Sequence, residues 1–268
     1  MGILDGKVGV VIGASSGIGW RIVEKYIEEG AQVIAAARRE SNLEKLASQT
    51  GAVAMRCDIS KEEDVKALAD AAIKRWGRID FAVNSSGIVR PCAIADLTTE
   101  VMQEVAAVQY FGSFYFLKQF GNAMAAHGGG SVVSITSTTA ILVPVLIAAY
   151  SGAKASTMFV TKIAAREYGH ANVRFNCLAP TFVPTAMNSY GGMTKIDEAR
   201  VDMNTNTDTS LAFIKESPLG RVTTVDDCAN VAVFLASDLS SSMTGQTLPV
   251  DNGNHLMRLP DATSSPES

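Results

Sequence analysis

Short apolar runs alternate with helical patterns along the whole chain. Val8 to Ile12 is apolar apart from one glycine and stops at Gly13, which reads as a buried strand. Gly17 to Glu29 repeats apolar residues at helical spacing, with Ile18, Ile22, Tyr26 and Ile27 on one side, and halts at Gly30. Gln32 to Ala37 predicts a second strand, Leu43 to Ser48 a short helix and Ala52 to Cys57 a third strand. Ser60 and Glu63 have capping-box spacing, so a helix is expected from there to Arg75. Phe81 to Asn84 ends a fourth strand. Helical stretches follow at Thr98 to Gln103 and Val105 to Ala126, broken by Gly128 to Gly130. Ser131 to Thr136 predicts a fifth strand, Tyr150 to Tyr168 a long helix and Val173 to Leu178 a sixth strand. Thr224 to Ala236 reads as a helix opened by the pair Thr224 and Asp227, and Gln246 to Val250 as a last strand.

Unbroken apolar strands between helices predict a parallel sheet covered on both faces. Right-handed crossovers make it a doubly wound α/β sheet of the Rossmann type in a single domain. That domain is expected over residues 1–258, with a frayed tail at 259–268 that is rich in Ser, Pro and Asp. Ligands of such sheets bind at the carboxyl ends of the strands. Asn84, Thr136, Ser137 and Pro180 all fall there.

Composition narrows the classes. A chain of 268 residues with 19% charged and 47% hydrophobic residues is globular, and a net charge of −4 offers no footprint for nucleic acid. The apolar run Ala140 to Ala149, interrupted by Pro144, is too short for a bilayer. Asp5 and Lys7 stand where a signal peptide needs apolar residues, so the expectation is a cytoplasmic protein without membrane or nucleic-acid partners. Cys57, Cys92, Cys177 and Cys228 are scattered and predict reduced thiols; no metal site is expected.

The chemistry begins after the first strand, at Gly13-Ala14-Ser15-Ser16-Gly17-Ile18-Gly19. Glycines there permit a tight turn and a close approach of backbone to a pyrophosphate, and the helix behind them presents free N–H groups. The end of the second strand bears on which dinucleotide binds. An acid there would accept from an NAD ribose, but the strand ends at Ala37 and Arg38-Arg39 follow. A guanidinium suits a 2′-phosphate, so NADP is favoured, with NAD as the second choice. Asp58, just after the third strand, could accept from an adenine amino group.

Tyr150 and Lys154 lie one helical turn apart on one face. A phenol titrates near ~10 and must be pulled down to exchange a proton with an alcohol at neutral pH. The Lys154 ammonium and an oxidised nicotinamide would both favour phenolate. Ser137 would hold the substrate oxygen.

At this point the sequence resembles the short-chain dehydrogenase/reductase family from Gly6 to about Gly253. The family's glycine motif falls on Gly13, Gly17 and Gly19, and its Ser–Tyr–Lys set on Ser137, Tyr150 and Lys154. Its N-N-A-G motif appears as Asn84-Ser85-Ser86-Gly87, and its P-G motif as Pro180-Thr181 without the glycine. The resemblance implies a cofactor shell of Ser15, Ser16, Ile18, Arg38, Arg39, Asp58, Ile59, Asn84, Ser86, Gly87 and Pro180 beside the glycines, Tyr150 and Lys154, with Val183 and Thr185 at the nicotinamide carboxamide. It also implies that Gln109 stands where the family carries a fourth catalytic residue, an asparagine holding a water that links the lysine to solvent. The longer amide could hold a shifted water or reroute the relay. The helices Val105–Ala126 and Tyr150–Tyr168 would pair subunits into a homotetramer.

The segment 140–149 should flank the substrate. A lid is expected at about 186–216, within an apolar stretch after Pro180 that carries Phe182, Met187, Tyr190, Met193, Met203 and Phe213. The expected substrate is thus an apolar, cyclic secondary alcohol or ketone, such as a steroid or terpenoid. The competing reading, a non-catalytic NAD(P)-binding regulator, has Gln109 in its favour and the intact Ser137, Tyr150 and Lys154 against it.

Overall fold

The computed structural model describes residues 2–185, 187 and 208–257. Its centre is one sheet of seven strands, β1 Val8–Ile12, β2 Gln32–Ala37, β3 Val53–Arg56, β4 Phe81–Asn84, β5 Gly130–Ile135, β6 Val173–Pro180 and β7 Thr247–Val250. They pair in the order β3-β2-β1-β4-β5-β6-β7, and every pair is parallel. The direction of winding therefore reverses at β1, between β2 and β4, and a crevice opens there at the carboxyl edge.

Helices cover both faces. On one, α1 Gly17–Glu28, α2 Glu40–Thr50 and α8 Val225–Ala236 bury Trp20, Tyr26, Leu43, Leu46 and Leu235 against Phe81 and Val133. Tyr26 fills the centre of that layer. Its ring stands edge-on to Phe81 at 4.6 Å, and its hydroxyl donates to Ala232 O at 2.9 Å, which fastens α1 to α8. On the other face, α3 Glu62–Trp76, α5 Gly112–Ala125 and α6 Ala148–Tyr168 pack Leu68, Phe116, Phe120 and Ala164 onto Val10, Ala82 and Phe175. No helix among the described residues is long and apolar enough to cross a membrane.

Three local expectations change. The two helices foreseen at Thr98–Gln103 and Val105–Ala126 form one continuous path. It runs from α4 Thr99–Val105 through a π turn at Ala106–Phe111 into α5. The helix foreseen at Leu43–Ser48 is longer, spanning Glu40–Thr50. The Ser60–Glu63 capping box does not form. The Asp58 carboxylate captures Ser60 instead, accepting from its N at 3.1 Å and its Oγ at 2.7 Å, and α3 starts at Glu62 without a side-chain cap. The Ser60 N–H is thus taken by the Asp58 carboxylate in place of the Glu63 carboxylate that the box requires. The Thr224–Asp227 box forms as foreseen. The tail at 259–268 and residues 186 and 188–207 of the expected lid lie outside the described residues; α7 Asp208–Lys215 forms the end of that stretch.

Candidate active site

One cleft of about 710 Å³ runs along the carboxyl edge of the sheet. At one end Gly13, Ser15, Ser16, Gly17 and Ile18 face Arg38, Arg39, Asp58 and Ile59. Ser86, Gly87, Ser137, Tyr150, Lys154 and Pro180 line the middle, where Val183 and Thr185 also reach it. Val143, Val145, Leu146, Phe182, Met187 and Phe213 wall the other end.

The glycine loop owes its shape to two contacts. A side-chain carbon on Gly13, at φ +82°, would strike the backbone of Ser85 at 2.6 Å, so loop and β4 exit pack directly. One on Gly19 would lie 2.3 Å from Gly13 O. Gly19 thus packs against the back of the loop and is not among the residues lining the cleft. Asn84 is likewise set back; it is buried, and its Oδ1 accepts the Ser86 N–H at 2.9 Å, which shapes the loop. The Ser16 side chain does not cap α1.

The two arginines part ways. Arg38 is exposed, and its charge joins the Ser60 hydrogen bonds in holding the Asp58 carboxyl below its ordinary range against the opposing effect of burial. Arg39 folds back over the glycine loop, its Nη2 donating to Ser15 Oγ at 2.9 Å and Ser16 Oγ at 2.7 Å. Burial, and secondarily Arg38, pulls the Arg39 guanidinium below its ordinary value.

The chemical centre joins β5 to α6. Ser137 follows β5 and accepts from Thr139 N at 3.2 Å and Oγ1 at 3.0 Å. Tyr150 stands in the first turn of α6, and Lys154 one turn later is buried, donating to Ile135 O at 2.7 Å. The Lys154 ammonium lies 5.7 Å from the centre of the Tyr150 ring. In the protein alone burial pushes the phenol above its ordinary value, opposed by Ser137, so the expected downward pull from Lys154 does not prevail. Burial brings Lys154 itself down to about 8. Its charge is already expensive to hold there.

Gln109 does not line the cleft either. It is buried in the π turn, with Oε1 accepting the Ile88 N–H at 2.8 Å. Its main-chain oxygen accepts from Ser113 Oγ at 2.6 Å and Thr157 Oγ1 at 3.2 Å. Its buried Nε2 has no partner among the described residues. A carbon on Gly87 would sit 3.6 Å from Lys154 Nζ and 3.9 Å from Gln109 Cδ, in ordinary contact. Gly87 thus leaves a space bounded by the lysine.

These features fit a nicotinamide dinucleotide. The uncapped start of α1 offers N–H groups for a pyrophosphate, Arg38 and Asp58 offer charge and acceptors further along, and the recess at Gly87 meets the lysine. Sequence reasoning missed Thr139, which orients Ser137, although the run Thr136-Ser137-Thr138-Thr139 signals a hydroxyl cluster. It also missed Arg90, which lines the cleft while its Nε donates to Glu104 at 2.8 Å; its only signal was a cation three residues past Gly87.

A family model described as enoyl-(acyl carrier protein) reductase matches residues 13–255. D-threitol dehydrogenase of Mycolicibacterium smegmatis is 34% identical over 255 residues, which cover 93% of each chain. (+)-Borneol dehydrogenase 2 of Salvia officinalis is 31% identical over 267 residues, covering 96% of this chain and 93% of that one. A short-chain type dehydrogenase/reductase from Mycobacterium ulcerans superposes with a TM-score of 0.88 at 26% identity, over 96% of this chain and 92% of its own.

The buried lysine makes a stability prediction. With its folded value near 8 below the ordinary 10.5, its ammonium destabilises the fold at neutral pH, and that penalty fades as pH rises from about 8 to 10.5. Lys154→Met is expected to melt above the wild type at pH 7, by an amount on the order of 1–3 kcal/mol, with the gap closing toward pH 10.5. Thermal melts of both proteins across that range check it; a gap independent of pH would show that the charge is not the cause.

Proposed function

This chain belongs to the short-chain dehydrogenase/reductase family, and we propose that it interconverts an apolar, cyclic secondary alcohol and its ketone with NADP as the preferred cofactor. It is an NAD(P)-dependent oxidoreductase by family. The apolar wall of the cleft carries the finer reading: Val143, Val145, Leu146, Phe182, Met187 and Phe213 line it, and Arg90, which also lines the cleft, is paired with Glu104. Such a wall favours a steroid- or terpenoid-like ring over a polyol or a phosphorylated metabolite. The relatives' names point both ways, one to threitol and one to borneol, and the lining supports the second.

A bound nicotinamide supplies or accepts the hydride. The chain's own residues do the rest. Ser137 Oγ holds the substrate oxygen, and Thr139 keeps that hydroxyl aimed. Tyr150 Oη gives the proton to the oxygen in reduction and takes it in oxidation. The Lys154 ammonium, tied to Ile135 O, stabilises the phenolate that reduction leaves.

The NADP preference rests on Ala37, which leaves the strand end without a carboxylate, and on Arg38, exposed at the mouth of the cleft. A homotetramer is supported by an exposed apolar face on the π turn, α5 and α6, where Phe111, Phe114, Phe159 and Ile163 meet solvent. A cytoplasmic setting is supported by the free thiols of Cys57, Cys92, Cys177 and Cys228.

Three measurements test these readings. On a panel of cyclic ketones with NADPH, Tyr150→Phe is expected to abolish turnover while cofactor affinity stays nearly intact. Residual activity within about tenfold of the wild type, ~1.4 kcal/mol in barrier, would remove Tyr150 from the chemistry. The kcat/KM ratio of NADP over NAD is expected at roughly tenfold to a hundredfold, the span of a charge-assisted contact. Arg38→Ala should collapse it through NADP alone, and equal losses on both cofactors would contradict the assignment. Phe159→Glu should reduce the tetramer to smaller species in light scattering; a monomeric wild type would sink the assembly.

A further inference from the structure

The apolar wall is built from two separate pieces of chain. Phe182 lies on the loop that leaves β6, and Phe213 on α7. Their rings stack at 4.9 Å with 18° between planes, and both face the cleft. A stack of two rings is soft to sliding, so something else must fix how far apart the two pieces stand.

The turn after β7 supplies that tie. Asn254 is fully buried and reaches both pieces. Its Oδ1 accepts the Thr181 hydroxyl at 2.9 Å, next to Phe182, and its Nδ2 donates to Glu216 O at 3.1 Å, at the end of α7. The turn is itself rigidly held. Buried Asp251 accepts from Gly253 N at 3.1 Å and from His255 N at 2.7 Å, while Asn252 donates to Arg221 O at 2.9 Å. Leu219 N donates to Asn252 O at 3.3 Å, and Pro218 closes on Gly253, where a side-chain carbon would meet it at 3.0 Å. Thr181 is the residue that replaces the glycine of the family's P-G motif. A glycine there has no hydroxyl to give.

We infer that Asn254 and Thr181 are positioning residues that set the width of the apolar end of the cleft, and through it the choice among substrates of different bulk. This rests on the reading that the substrate's apolar body lies against the wall to which the stacked Phe182 and Phe213 rings belong. Neither residue touches the reacting atoms, and the proton path through Ser137, Tyr150 and Lys154 does not run through them. Their loss should therefore appear in substrate KM and leave the chemistry alone.

The test compares wild type with Thr181→Val, which keeps the shape and removes the donor, and Thr181→Ser, which keeps the donor. A one-ring ketone and a fused-ring ketone serve as substrates, with NADPH affinity followed by fluorescence and amide exchange followed across α7. Thr181→Val is expected to change the ratio of KM values for the two ketones by about tenfold, with kcat, its pH profile and the NADPH Kd within about twofold of wild type. Thr181→Ser should restore the ratio. Faster exchange in α7 of the valine variant is expected without any substrate present. An unchanged KM ratio in an active enzyme, or a parallel loss of NADPH affinity, would overturn the inference. If wild type reduces neither ketone, the substrate reading fails by itself; exchange in α7 then decides the tie, acceleration upholding it and no change ending it.

Discussion

Strands that all run one way bring their carboxyl ends to a single rim, and every crossover must start from that rim. In this chain the constraint is complete, because all six neighbouring strand pairs are parallel. The loops that leave β1, β4, β5 and β6 therefore open side by side, whatever their separation in sequence. The glycine loop, the Ser86–Gly87 recess, Ser137 and the Thr181–Thr185 segment meet for that reason. Gly17 shows how tightly, since a carbon added there would lie 3.3 Å from Thr185 Cγ2 across the cleft.

That convergence places an ammonium where water is scarce. Lys154 has one close acceptor, Ile135 O, and little exposure. A phenol whose proton is held too firmly by burial stands one turn away. Each group disfavours its own charged form, and each charged form would relieve the other.

The sheet was legible because a buried parallel strand must be apolar on both faces, and the helices because they bury one side. Tyr150 and Lys154 were legible because one helical turn is a fixed offset. The π turn was not, since Val105 to Ala126 keeps its apolar character through it and composition carries no mark of an extra residue. Arg39 folding onto Ser15 and Ser16 was hidden too, because a long side chain can turn either way from the same backbone. Gly19 packs against Gly13 and Asn84 accepts from Ser86 N–H, contacts between neighbouring loop residues that a motif match does not reveal. The Thr181–Asn254 bond joins positions 73 residues apart, beyond the reach of any local pattern.

The π turn has a consequence for which changes this chain can accept. A π turn closes its hydrogen-bonded ring one residue later than an α turn, so Ala106–Phe111 carries one residue more than a straight helix would need. Removing one residue would let α4 run into α5 as a regular helix, with better-aligned backbone bonds. It would also swing the two halves relative to each other by about 100°. Gln109 would then turn away from Ile88 and Thr157, its two partners outside the helix. Here the helix would gain from a deletion and the site would not survive it. What the geometry constrains at this place is the number of residues, which no change of residue type alone would reveal.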